Sequence, residues 1–343
     1  MSDVTVTSVD GATAGWDALV ASAGGTLYHR DATLDAVART FRHRVYRLAA
    51  WRDQELIGIL PLVRLKSLAF GDFLVSLPLF NYGGPVASDP AAVMALMDRA
   101  GQLVDELGVS HAEIRCVGEV SAAWQQRTDK VIMRLPLAAS AAEQFAKFSS
   151  KLRAQIRRPG KDGFSARIGG AELLKDFYRV FSINMRDLGT PVYPQRFFAN
   201  MLEVWGAAAR LVLVERSGQV AAAGFLVHDR DTVEIPWASS LRDFNRCGVN
   251  MLLYWESIQC AIASGAAWFD FGRSSRDSGT FRFKAQWGAE PLQLHWHYHC
   301  GAHGQLPDLT PGNPKYRLAL ALWRRLPVAV SNTIGPWLAR GLP

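Results

Sequence analysis

What the sequence lacks narrows it first. No apolar run reaches the roughly 18 residues needed to span a bilayer. The first residues, MSDVTVTSVDGATAGW, have neither a basic start nor an apolar core of signal length. A cytoplasmic place is therefore expected, with the inner face of the membrane as the second option. Cysteine is scarce. Cys116, Cys247, Cys260 and Cys300 are widely scattered and lack metal-ligand spacing, as reduced thiols would be. No Gly-x-Ser-x-Gly elbow occurs and no cysteine has a nucleophile's setting, so a covalent acyl-enzyme is not expected. Sustained charged heptads are absent, which argues against a coiled-coil arm. Charge of neither sign dominates: 38 basic residues face 31 acidic ones, a net +7. That balance fits phosphate-bearing substrates, RNA or an anionic membrane surface without selecting among them. No nucleic-acid recognition motif appears, and DNA is not an expected partner.

What is present is a chain of 343 residues, 49% apolar and 20% charged, long enough for two cores. In its first part, strands are expected over Val45–Trp51 and Leu56–Val63, then a loop region, a helix from Ala91 to Leu107 stopped by Gly108, and the strand HAEIRCV. In its second part, strands are expected over Arg210–Glu215, Val220–His228 and Thr232–Ser239. A helix from Asn250 to Ser264, stopped by Gly265, and the strand AWFDFG follow. Gly108 and Gly265 lie 157 residues apart, as do Glu113 and Asp270, while Leu48 and Leu211 lie 163 apart. A near-constant offset through hairpin, helix and strand points to a duplicated α/β domain. The expected divisions are 1–143, 144–305 with a basic leading helix over 145–158, and 306–343.

The segment Trp268–Gly288, WFDFGRSSRDSGTFRFKAQWG, mixes aromatics with Asp270, Arg273, Arg276, Asp277, Arg282 and several hydroxyls. It reads as a buried strand, a polar loop through Gly279 and a second short strand, Phe281–Phe283. Asp270, between two phenylalanines, must be paired or functional: either it orients the amine or acts as base, or it forms a structural salt bridge to Arg273 or Arg282. Arg273, Ser274, Ser278 and Thr280 are candidate ligands for phosphate or sugar. Asn81-Tyr82-Gly83-Gly84 suits a tight loop where backbone N–H groups approach a ligand. Arg153 and Arg157 share a helix face and suit phosphate. Gly248 and Asn250 open a helix whose free N–H groups suit a pyrophosphate. His295, His297 and His299 share a strand face, but their aromatic neighbours favour packing, and no metal is expected. A basic helix over 315–326 carries Leu318, Leu322 and Leu326 at fourfold spacing. It either packs on the body or lies on a membrane surface. Gly335-Pro336 is expected to break the tail.

Four passages, SLPLFNYGGPVASD, KLRAQIRRPGKDGF, GVNMLLYWESIQCAIASGAAWFDFGRSS and SGTFRFKAQWG, together with the tail NPKYRLALALWRRLP, resemble FemAB-type proteins. The subgroup they resemble is associated with exosortase/PEP-CTERM and exopolysaccharide systems. The resemblance implies two tandem GNAT-like domains with mixed sheets flanked by helices. It also implies N-acyl transfer to an amine of a cell-envelope or polysaccharide precursor. The acyl group would come from aminoacyl-tRNA or another acyl donor such as acyl-CoA, used as co-substrate, with no tightly bound cofactor. Lys284 falls on the lysine of the family's Phe-Lys-x-Gly-Phe-type motif and is the first candidate catalytic residue. Asp270 is the second, and Trp287 of the same motif joins the substrate-binding set. Of the acyl-CoA signature Gln/Arg-x-x-Gly-x-Gly/Ala, the window Asn245–Asn250 keeps only Gly248. Two other readings stand beside this one: a catalytically silent binding or scaffold protein of an envelope-polymer system, and an acyl-CoA-dependent N-acetyltransferase.

Overall fold

The computed structural model describes residues 3–11, 13–68, 70–120, 123–301 and 320–342. The chain separates into two compact units: Met1–Lys130 with Gln293–Leu309 and Arg340–Pro343, and Val131–Leu292 with Thr310–Ala339. Neither is one continuous segment, so the units do not follow the divisions expected at 143 and 305.

In the first unit, β1 (Thr5–Val9) precedes α1 (Trp16–Ser22) and α2 (Asp31–Phe41). Then come β2 (Arg44–Arg52), β3 (Glu55–Ser67), β4 (Gly71–Val75), β5 (Val86–Ala87), α3 (Pro90–Leu107), β6 (His111–Val117) and β7 (Gln125–Arg127). Strands β1 to β4 are antiparallel in sequence order, β4 pairs in parallel with β6, and the late strand Glu290–Cys300 pairs antiparallel with β6. The expected helix Ala91–Leu107 is α3. Asp89 caps it by accepting from the Ala92 N–H at 2.9 Å, and Gly108 ends it at φ 60°. Leu96, Met97 and Ala100 of α3 pack on Leu48, Leu60, Leu62 and Ile114.

The loop after β4 is tightly built. Ser76 N–H donates to Glu113 O and Gly83 N–H to Arg115 O, both at 2.9 Å. Buried Arg115 donates to Glu113 Oε1 at 2.6 Å and to Phe80 O at 3.1 Å. Tyr298 donates to Glu113 Oε2 at 2.9 Å. A Cβ on Gly83 would stand 2.5 Å from that of Leu77. Gly83→Ala is therefore expected to destabilise this unit by about 1–3 kcal/mol through overpacking, read as a lower urea midpoint.

In the second unit, β8 (Lys130–Pro136) leads to α4 (Ala141–Lys147) and α5 (Ser150–Lys161). β9 (Ser165–Gly169), α6 (Leu174–Leu188), α7 (Gln195–Trp205), β10 (Ala209–Arg216), β11 (Gln219–Asp229) and β12 (Thr232–Ser240) follow. The unit continues through α8 (Val249–Ala263), β13 (Trp268–Ser275) and α9 (Gly279–Ala285); β14 is the late strand Glu290–Cys300, and α10 is Val328–Ala339. The sheet runs β9-β10-β11-β12-β13-β8. Neighbouring β11 residues point to opposite faces. A Cβ on Gly224 would meet Leu253 of α8, whereas Phe225 meets Phe177 of α6 and Phe198 of α7. Helices thus cover both faces.

The order strand, two helices, hairpin, strand, helix, strand occurs in both units, as the 157-residue offset anticipated. The helix pairs α1–α2 and α6–α7 were not among the expectations.

Three local expectations are corrected. Phe281–Phe283 is not a strand. Ser278 Oγ accepts from the Phe281 N–H at 3.1 Å and starts α9, which places Phe283 and Trp287 four apart against Tyr254. The basic segment 145–158 is not one helix. It breaks at Phe148, and Ser149 caps α5 by accepting from the Leu152 N–H at 3.2 Å. Gly335-Pro336 does not break the tail but lies within α10, where buried Gly335 fits against Val192. Of the helix expected over 315–326, residues 315–319 lie outside the described residues, and 320–323 are helical. Leu318 is therefore undescribed, while Leu322 is exposed and Leu326 half-buried.

Candidate active site

The second unit carries a notch in its sheet. Strands β12 and β13 run parallel and pair over Thr232↔Trp268, Val233↔Phe269 and Glu234↔Asp270. No pairing between them continues beyond that point, although β12 extends to Ser240 and β13 to Ser275. Helix α8 is the crossover between the two strands. A notch at the carboxyl ends of parallel strands, beside the start of a crossover helix, is where α/β folds place ligands.

Asp270 lines the notch and is fully buried. Its Oδ1 accepts the Gly272 N–H at 2.7 Å, and its Oδ2 faces Arg134 Nε at 3.4 Å. Gly272 sits at φ 73°, a left-handed kink that glycine tolerates. The kink turns the strand's carbonyls toward α9. Lys284, only 7% exposed, donates from Nζ to Gly272 O at 3.0 Å and to Arg273 O at 2.8 Å. Lysine rarely stays buried without partners. Here, two carbonyls and the nearby carboxylates of Asp270 and Glu234 provide them.

The electrostatics follow from burial. Desolvation pulls the Lys284 ammonium down to about 8, with Asp270 and Glu234 opposing the fall and Arg273 adding to it. Desolvation raises the Asp270 carboxyl above its ordinary value, against the pull of Arg134, the Gly272 N–H and Lys284. Ser274 Oγ and Trp287 Nε1 are buried without a protein hydrogen-bond partner among the described residues.

Of the expected site residues, Lys284, Asp270, Ser274 and Trp287 are gathered around β13 and α9. Arg273 and Thr280 are exposed. Ser278 is the cap of α9; Ser278→Ala is therefore expected to cost about 0.5–2 kcal/mol, seen as a lower melting temperature, and to loosen the helix that holds Lys284. Arg153 donates to Ala146 O at 3.1 Å, and the Arg157 guanidinium lies 4.9 Å from the Phe145 ring centroid, so both fold back on α4. Gly248, at φ 75°, leads into α8 with no side-chain cap. Pro159 of α5 lies 3.7 Å from where a Gly248 Cβ would stand. Asn250 is half-buried in the first turn of α8. Asn81 and Tyr82 belong to the first unit, where Tyr82 packs against Tyr28 with ring centroids 5.9 Å apart. His295 bonds Gln126, His297 is fully buried, and His299 packs on Trp124. Among the described residues no group of three or more His, Cys, Asp or Glu is placed to hold a metal.

Asp270 is paired with Arg134, not with Arg273 or Arg282; Arg282 instead donates to Asp277 O at 2.7 Å. Arg134 and Glu234 were missed. The signal for Glu234 was available, since it is a lone charge inside the apolar strand TVEIPWASS, whereas Arg134 shares KVIMRLP with Lys130.

Residues 146–285, all within the second unit, match the Acetyltransferase (GNAT) domain family. That match makes the second unit a GNAT-type acyltransferase domain, and the repeated element order makes the chain a tandem of this mixed α/β fold. Among solved structures, FemX aligns with a TM-score of 0.62 at 16% identity, covering 86% of this chain and 97% of its own. The C-terminal domain of a putative lysylphosphatidylglycerol synthetase from Agrobacterium fabrum aligns at 0.55 and 12%, covering 83% and 93%. L-PGS from Bacillus licheniformis aligns at 0.54 and 11%, covering 92% and 98%. At these identities the likeness is one of fold. No curated protein sequence matches the chain.

Proposed function

We propose that this acyltransferase is of the FemAB type. It moves an aminoacyl group from aminoacyl-tRNA, or another acyl group, onto an amine of a cell-envelope or exopolysaccharide precursor. The observation that carries this reading is buried Lys284, held by two carbonyls of the strand that bears Asp270, at the notch of the unit matched as an acetyltransferase. The names FemX and lysylphosphatidylglycerol synthetase, borne by structures of like fold, support an aminoacyl group and an envelope acceptor.

The neutral amine attacks the ester or thioester carbonyl carbon directly. The C–N bond forms, the carbonyl oxygen becomes an oxyanion, and collapse expels the ribose oxygen or thiolate. The amine's surplus proton leaves to the departing oxygen or to solvent. An ammonium has three donors, and the backbone carbonyls use two of those on Lys284. The third serves the oxyanion or the leaving oxygen, where charge develops in a site with little water to screen it. Asp270, occupied by Gly272 and Arg134, keeps that ammonium charged and the kink in place; it is a positioning residue, not the base. Arg273, at the strand end, and Arg153 and Arg157, on α5, serve substrate phosphates. The Gly248 turn and Asn250 at the start of α8 are the places an acyl-CoA pyrophosphate would use. Transfer of labelled acyl groups from aminoacyl-tRNA and from acyl-CoA to candidate amines, in wild type and a Lys284 variant, tests the reading. Full activity in the variant overturns the assignment.

A further inference from the structure

The tail of the second unit presents an apolar stripe left exposed among the described residues. On α10, Val330, Ile334 and Trp337 recur at helical spacing, and they are 38%, 41% and 70% exposed. Leu322, in the turn of helix before α10, is 57% exposed. The opposite face is anchored: Asn332 donates to Ser182 Oγ at 3.4 Å, and buried Gly335 fits against Val192. The segment before α10 is fixed to α6 as well, with Arg186 donating to Leu326 O at 2.8 Å and Arg324 to Leu188 O at 3.1 Å. That last bond brings exposed Leu188 beside the same segment. Five exposed large apolar side chains therefore belong to α10, the segment before it and the end of α6. Scattered exposed apolar residues need no explanation, but such a gathering does.

The charge says what covers it. Helix α10 contains no ionisable residue. From Leu309 to Pro343 the sequence has five cations, Lys315, Arg317, Arg324, Arg325 and Arg340, and no acid. Arg324 and Arg325 are exposed. Asp187, the acid at the end of α6, is already held by Arg186 at 2.6 Å and Arg242 at 3.6 Å. A protein partner or second copy with an ordinary mixed surface would not call for a purely cationic border. A bilayer rich in anionic lipid would, because Trp and aliphatic side chains enter the interfacial layer while arginines meet the headgroups.

We propose that the face formed by Leu322, Val330, Ile334 and Trp337, with Arg324 and Arg325 at its edge, docks the protein peripherally on an anionic lipid surface. The inference does not depend on which acyl donor the enzyme uses. It extends the membrane contact read in the sequence for the basic helix over 315–326 to the helix after it. The test is co-sedimentation of the purified full chain with vesicles of phosphatidylcholine alone and with vesicles containing about 30% phosphatidylglycerol, enough for a strongly negative surface, at low and high salt. Wild type is expected to bind the anionic vesicles at least about tenfold better than neutral ones and to be released by salt. Val330→Ser/Ile334→Ser/Trp337→Ser should lose binding, and Arg324→Ser/Arg325→Ser should lose about fivefold or more per cation. The apolar side chains altered are exposed, so the triple variant should melt as wild type does, whereas Arg324→Ser also removes the bond to Leu188 O; a variant that melts low is replaced by Trp337→Ser or Arg325→Ser alone. Equal binding to both vesicle types, or binding unchanged by either variant, overturns the proposal. So does a concentration-dependent dimer that the triple variant abolishes while wild type ignores vesicles.

Discussion

Replacing Lys284 with methionine is expected to lower the turnover number for acyl transfer about 100- to 1000-fold, the usual loss when one charge-stabilising donor leaves an acyl-transfer site. The Michaelis constants should change little, because the third ammonium proton meets an oxygen that becomes negative only in the transition state. Methionine keeps the apolar stem that fills the space under α9, so the effect reads the ammonium and not a cavity. A structural clamp alone would also lose activity, since Nζ holds the carbonyls of Gly272 and Arg273. The pH profile separates the two roles. With Lys284 held near 8, wild-type activity should fall as pH rises through that value, because the ammonium loses its proton. A variant whose residual activity keeps the same descending limb shows that the limb belongs to another group. That result, or turnover within threefold or so of wild type, removes Lys284 from the chemistry.

How much of this was legible in the sequence depends on how local each signal was. The strand HAEIRCV is β6 from end to end, and the glycines Gly108 and Gly265 do end helices, because a stop signal acts within one turn. The burial of Asp270 between Phe269 and Phe271 was readable from its neighbours alone. Helix α9 was not. Phe281-Arg282-Phe283-Lys284 alternates apolar and basic as a half-buried strand does. The outcome turned on the Ser278 cap and on a lysine stem long enough to carry its ammonium inward. The strands β14 and β8 were out of reach for a different reason. Unit one is completed by β14 and unit two by β8, so each sheet closes on a segment distant in sequence, and no composition announces such a partner. Arg134, the ion partner of Asp270, was hidden by the same long-range pairing.

Asp270→Ala is expected to cost about 3–5 kcal/mol of unfolding free energy, the usual result of removing one partner from a buried charge pair. The loss goes beyond the Arg134 contact at 3.4 Å. Asp270 also raises the Lys284 pKa from within the same notch and holds the Gly272 N–H that sets the kink. Without the carboxylate, Lys284 should titrate below about 8, and the descending limb of any remaining activity should move to lower pH. The sign for stability follows from linkage. An unfolded lysine titrates near 10.5 and the folded one near 8, so between those values the unfolded chain binds more protons and stability rises with pH. In the alanine variant that rise should begin at lower pH, which urea unfolding from pH 6 to 10 would resolve. Adding Lys284→Met to Asp270→Ala should restore part of the lost stability, since a site emptied of both charges no longer holds an uncompensated ammonium. Strictly additive losses in that double variant would show that the two residues do not interact. Asp270 would then have no part in keeping the ammonium charged.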